Sequence, residues 1–179
     1  PYTTLFRSRK YSEDSFMENV SSRNPYGIIS SFKEFSQKPS KTNTVKLYRY
    51  GDIGFIKKKQ VLKNTKLVEK YKVIISKAGS GSDSYPHQII GLPLVSEPNS
   101  VSTETYIILY TSDSEKVCKN VMSYVKTKFF RFMVSLIKNT QNAARGVYYF
   151  VPTQNFDEEW TDEKLFKKYN INQDEINFI

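Results

Sequence analysis

The sequence predicts an α+β fold in which a mixed sheet packs on one long helix. Three observations carry that expectation. Between residues 112 and 138, Val117, Val121, Tyr124, Lys128, Phe132 and Leu136 recur at steps of three or four, with Val125 and Phe129 widening the stripe. Strand-like runs flank this segment, at 105–110 before it and 146–151 after it. Elsewhere strands and helices follow one another irregularly, not in regular βα alternation. Lys128 interrupts the apolar stripe, but its alkyl stem can cover apolar surface while the ammonium reaches water. Ser112 with Glu115 forms a capping box that specifies the start of the helix. Phe129, Phe132 and Leu136 are expected to hold the sheet, so that replacing Phe132 should unfold the domain.

The other elements follow in order. Residues 9–22 are polar apart from Phe16, Met17 and Val20, a short helix at most, with no evident place. Arg23-Asn24-Pro25-Tyr26-Gly27 reads as a turn. It falls short of the Asn-Pro-Pro-Tyr clamp that holds a flipped adenine, because the second Pro is missing and no Gly-rich loop lies upstream. A loop at 36–44 leads to alternating residues at 46–50, then Gly51-Asp52, then 53–56, together a β-hairpin. Lys57, Lys58 and Lys59 come next, before a weak helical pattern at 61–70. Residues 72–76, KVIIS, form a short apolar strand of central type. Glycine, serine and proline make 76–100 the most loop-like region, and Gly79 and Gly81 lack P-loop spacing. Residues 101–106 open a central strand that runs into the long helix. Residues 141–146 read as its frayed end, stopped by Gly146. Val147 to Val151 is then a strand closed by Pro152. Thr161 caps a short helix at 162–169, and Asn172 with Glu175 makes a second capping box.

The chain has 179 residues and a formal net charge of +9, unevenly placed. Residues 33–77 hold 13 Lys plus Arg against 3 Asp plus Glu, whereas from Tyr149 onward there are 3 basic and 7 acidic residues. A basic half of this kind suits a polyanion and equally suits a solvated surface. One Cys excludes an internal disulfide, and Cys118 among core positions reads as a buried, inert thiol. No apolar run reaches transmembrane length and nothing resembles a signal peptide, which fits a cytoplasmic location. One Cys and one His cannot build a metal cluster unless carboxylates supply the ligands. His87 has no catalytic or ligating partner at a telling spacing. Asp162-Glu163-Lys164 is the nearest match to a nuclease carboxylate–lysine motif, but acids at a helix start suit the helix dipole. Residues 1–8, PYTTLFRS, resemble a translated sequencing adapter and are set aside as an artefactual leader.

A family resemblance runs through the ordered landmarks. These are RNPYG at 23–27, YKVIISKA at 71–78, STETY at 102–106, YVKTKFFRF at 124–132, FVP at 150–152, WTDEKLF at 160–166 and EINFI at 175–179. Together they resemble the C-terminal region of adenine-specific DNA methyltransferases from type II restriction–modification systems, some of which are fused to an endonuclease. The resemblance implies that 23–179 is a DNA target-recognition domain, a non-catalytic fragment of a longer enzyme. The missing N-terminal methyltransferase domain would bind S-adenosylmethionine and carry the adenine clamp; the fragment itself would hold no cofactor. Double-stranded DNA and that catalytic domain are the implied partners.

For such a domain, Lys57, Lys58, Lys59, Lys63, Lys72 and Lys77 are the candidate phosphate contacts. Ser76, Ser80, Ser82, Tyr85, His87 and Gln88 are the candidates for reading base edges. Lys126, Lys128 and Arg131 are candidates for contact with the DNA backbone or the catalytic domain. The competing readings are a stand-alone basic nucleic-acid-binding module and an interaction domain whose lysines only solubilise it.

Overall fold

Two three-stranded sheets, stacked beside a layer of short helices, form the α+β fold of the computed structural model, which describes residues 13–40, 43–78 and 89–179. The strands are β1 (Thr44–Arg49), β2 (Asp52–Lys57), β3 (Tyr71–Ser76), β4 (Leu94–Ser96), β5 (Ser100–Ser102) and β6 (Tyr106–Ser112). The helices are α1 (Glu115–Lys126), α2 (Lys128–Ser135), α3 (Asp162–Tyr169) and α4 (Gln173–Phe178).

The expected hairpin is present. β1 and β2 pair antiparallel from Thr44↔Lys57 to Arg49↔Asp52, and Gly51 turns the chain at φ 73°, a conformation that glycine adopts without strain. β5 adds to β1 in parallel, giving a mixed sheet ordered β2-β1-β5. The second sheet is antiparallel, ordered β4-β3-β6, with the KVIIS strand at its centre as expected. Val73, Ile75, Ile107 and Leu109 join the core under the helices. Ile74 and Ile108 join the core shared with Val45, Leu47 and Val101 of the mixed sheet. Burial on both faces is why β3 reads as a continuous apolar run and not as an alternation. The pairing jumps from Val73↔Tyr110 to Ile74↔Ile108, so Leu109 is an extra residue that bends β6.

The single long helix is not found. The chain breaks at Thr127, whose backbone is extended at φ −65° and ψ 152°, and α2 begins there. Thr127 Oγ1 donates to Tyr124 O (2.7 Å) and accepts from Phe130 N (3.1 Å), ending one helix and capping the next. The Asp162 carboxylate accepts from the backbone N–H groups of Lys128 (3.1 Å) and Phe129 (3.0 Å), satisfying two more donors of the same terminus. The break resets the helical phase. Phe129, Phe130, Met133 and Val134 face the core, while Lys128 and Leu136 are exposed and Phe132 is only half-buried. Phe132 is thus a rim residue and not the keystone expected of it. The N-cap of α1 is Ser114, accepting from Val117 N; Ser112 sits two residues earlier, where its Oγ accepts from Ser114 N.

Other departures are local. Residues 145–148 form a 3-10 turn, not a strand, and on either side of them stand only isolated bridges, Asn142 with Ala78 and Pro152 with Ser15. Residues 61–70 hold only a 3-10 turn at Thr65–Leu67. Residues 101–106 divide between the two sheets. Both later helices stand where expected, with Thr161 capping α3 and the Asn172–Glu175 capping box opening α4.

The unplaced N-terminal segment has a definite seat. Phe16 is fully buried and meets Phe130, Tyr124, Tyr148 and Phe156 with ring centroids 5.2–6.3 Å apart. The pairs with Phe130, Tyr124 and Phe156 are edge-on, and such pairs contribute about 0.5–1.5 kcal/mol each beyond area burial. Cys118 is fully buried, and burial pushes its thiol up to about 11, as an inert thiol requires. Among the described residues, no helix is long and apolar enough to cross a membrane.

Candidate nucleic-acid interface

The open end of the β1–β2 hairpin carries the basic cluster. Lys57 ends β2, and Lys58 and Lys59 continue into a 3-10 turn, Lys58–Gln60. Gln60 fixes this turn from both sides: its Oε1 accepts from Lys57 N (2.8 Å), and its Nε2 donates to the Glu34 carboxylate (3.2 Å). Residues 34–36 run alongside β2, with Ser36 and Phe55 exchanging backbone hydrogen bonds of 2.8 and 2.9 Å. Phe35 lies on Gly54 so closely that a Cβ there would stand 2.5 Å from its ring. The Arg49 guanidinium covers the same ring, 3.8 Å from its centroid. The result is an open groove of about 910 Å³ walled by Phe35, Ser40, Asn43 and the three lysines.

Lys57, Lys58 and Lys59 are all exposed, as is Lys63 on the loop that follows. Lys58 pairs with Glu69 at 2.6 Å, an exposed pair that contributes roughly 0–1 kcal/mol and so yields readily to a phosphate. Lys66, which sequence reasoning passed over, is exposed beside them in the 65–67 turn. Its signal was there to read, a fifth lysine within ten positions.

Lys72 does not belong to this surface. Its side chain is fully buried, and Nζ donates to the carbonyls of Lys70 (2.6 Å), Leu67 (3.2 Å), Val68 (3.3 Å) and Glu97 (3.3 Å). Desolvation pulls its pKa down to about 8. It is an internal fastening between the 67–70 turn, β3 and the turn before β5, and reaches no phosphate. A lysine at the start of an apolar strand gives no sequence sign of its direction; β3 turns this position inward.

A second, smaller groove of about 230 Å³ lies at the other end of the hairpin, lined by Arg23, Tyr50, Ser76, Lys77 and Glu104 among others. Six-residue strands place the two grooves about 17 Å apart. Lys77 is half-buried and Ser76 Oγ donates to Ala78 O (2.9 Å), so both belong here and not with Lys57. Ser80, Ser82, Tyr85, His87 and Gln88 lie outside the described residues.

Lys126 and Lys128 are exposed on either side of the Thr127 break, and Arg131 Nε donates to Thr127 O (3.3 Å). All three stand in the helix layer, across the middle sheet from the hairpin. The structure therefore does not bring them together with Lys57–Lys59. Nearby, the Asp162 carboxylate accepts from the α2 amide groups, which makes Asp162 of the Asp162-Glu163-Lys164 run a capping residue. Among the described residues, no three His, Cys, Asp or Glu side chains group closely enough to hold a metal ion.

No protein-family model, curated protein or solved structure matches this chain.

Proposed function

We propose that this chain is a DNA-binding module, the target-recognition part of a site-specific adenine DNA methyltransferase, with the hairpin face as its duplex-contacting surface. The observation that carries the binding reading is the exposed cluster of Lys57, Lys58 and Lys59 on an open groove, with Lys63 exposed on the loop that follows, in a segment (33–77) where 13 basic residues stand against 3 acidic ones. The turn that bears the cluster is fixed by Gln60, which lowers the conformational cost of presenting three ammonium groups together. A second basic position, Lys77 with Arg23, stands at the far end of the hairpin. The spacing of about 17 Å equals roughly five phosphates along one DNA strand, so one duplex laid along β1 and β2 reaches both ends. The methyltransferase assignment rests on the ordered sequence landmarks, and the catalytic chemistry, with its S-adenosylmethionine, belongs to a domain this chain does not contain.

The test is duplex DNA binding as a function of salt. Replacing Lys57, Lys58 and Lys59 together with Ala is expected to flatten the slope of log K against log salt by about three. An unchanged slope overturns the phosphate role. Competition among duplexes of different sequence tests recognition: equal affinity for all of them favours a module without sequence preference and overturns target recognition.

A further inference from the structure

The groove at the hairpin turn combines features that the basic cluster at the other end lacks. Tyr50 projects from the Tyr50–Gly51 turn with 77% of its surface exposed, at the end of a fully paired hairpin. Arg23 and Lys77 line the same groove, and neither side chain has an ion-pair partner among the described residues. Glu104 is the acid of the groove. Its Oε1 accepts from Ser30 N (3.2 Å) and Ser30 Oγ (3.5 Å), which holds the carboxylate in place and leaves its other oxygen as an acceptor. One exposed ring, two cations and one fixed carboxylate therefore meet in about 230 Å³.

Each group matches a different part of a nucleotide. An exposed ring stacks on the face of a base, and Arg and Lys neutralise the adjoining phosphates. A carboxylate repels phosphate but accepts from an exocyclic amino group, as Glu does from cytosine N4. A base inside a duplex offers no free face to such a ring, so the site suits a nucleotide that is out of the stack.

We propose that the Tyr50–Arg23–Lys77–Glu104 groove is a subsite for one unstacked nucleotide whose base carries an amino group. The subsite rests on the nucleic-acid reading given above and deepens it: the lysine cluster holds the duplex backbone, and the hairpin turn holds a displaced base. Tyr50 lies on a turn and buries little, so its replacement leaves the fold intact.

The experiment measures binding of short single-stranded oligo-dC and oligo-dT, and quenching of a 2-aminopurine placed in a mismatched duplex. The expected results are tighter binding of oligo-dC than of oligo-dT, and quenching by the unaltered chain. Tyr50→Ala should weaken oligo-dC binding roughly 5- to 150-fold and abolish quenching, while Tyr50→Phe keeps both. Tyr50→Ala with unchanged affinity and unchanged quenching overturns the subsite, and equal binding of the two oligonucleotides overturns the role of Glu104 in it. Perfect-duplex binding that is lost in the triple lysine variant but unaffected by Tyr50→Ala is expected if both readings hold. Duplex binding without any Tyr50-dependent signal removes the subsite alone, and an unaltered chain that binds neither duplex nor single strand removes both.

Discussion

The two outer layers of this molecule differ in how they use most of their aromatic residues. In the helix layer, Phe16, Tyr124, Phe130, Tyr148 and Phe156 close on one another with scarcely any exposure, and the surface around them is acidic toward the C-terminus. In the mixed-sheet layer the enclosed core is smaller, and Phe35 and Tyr50 stand at or near the surface beside cations. The division is one of emphasis: the helix layer also sets Trp160 and Tyr169 beside Lys168, and the mixed-sheet layer also buries Tyr26. The difference teaches where to look for function: a ring enclosed by other rings fixes the fold, whereas an exposed ring at a groove, as Tyr50 is, is free to meet a ligand.

That contrast can be broken from either side, and the largest effect belongs to the helix layer. Phe130→Ala is expected to cost about 3–5 kcal/mol in chemical denaturation, because it empties a site touched by Phe16, Tyr124 and Tyr148. Phe132→Ala, at the half-buried rim, should cost visibly less; equal losses would contradict the phase reset at Thr127.

Lys72 tests the seam between the layers. Its pKa is depressed from the usual lysine value to about 8, so the unfolded chain holds the proton where the folded one has released it. Stability should therefore rise with pH between about 8 and 10.5 on account of Lys72, by on the order of 3 kcal/mol. Cys118, with its thiol raised to about 11, acts in the opposite sense from about 9 upward, since there the folded state keeps the proton that the unfolded state loses. The difference between the unaltered chain and Lys72→Met isolates the lysine contribution. A difference that does not change with pH would show that the ammonium is not buried.

Gly54→Ala sharpens the comparison from the mixed-sheet side. The added methyl must displace Phe35, and with it Arg49, at a cost of about 1–3 kcal/mol, read by thermal unfolding together with reduced DNA binding. The smallest effect on stability should come from Lys57, Lys58 and Lys59. Each is exposed, so Ala at all three should shift stability by about 0.5 kcal/mol or less per site while DNA affinity falls steeply in low salt. A large loss of stability in that variant would turn the cluster into a structural element.

Much of the local structure was legible because it depends on neighbours in the chain. Gly51 with its flanking alternation specified the hairpin, Thr161 and Asn172 specified two helix starts, and the run at 72–76 specified a strand buried on both faces. The exposed Lys57–Lys59 cluster was legible for the same reason, since three consecutive lysines have no shared way inward. What the sequence could not decide were choices between two local options settled by distant partners. Thr127 can sit within a helix or cap one, and the Asp162 carboxylate, 35 positions away, together with the core's demand for Phe129 and Phe130, settled on a cap. Lys72 can point to water or to carbonyls, and the convergence of residues 67–70 and Glu97 around its ammonium decided for carbonyls. Tyr50 joined Arg23 and Lys77 only because the hairpin turn folds back toward both. Periodicity and capping act over a few residues and are written in order along the chain; burial, satisfied polar groups and the assembly of a groove depend on which segments the tertiary fold brings into contact.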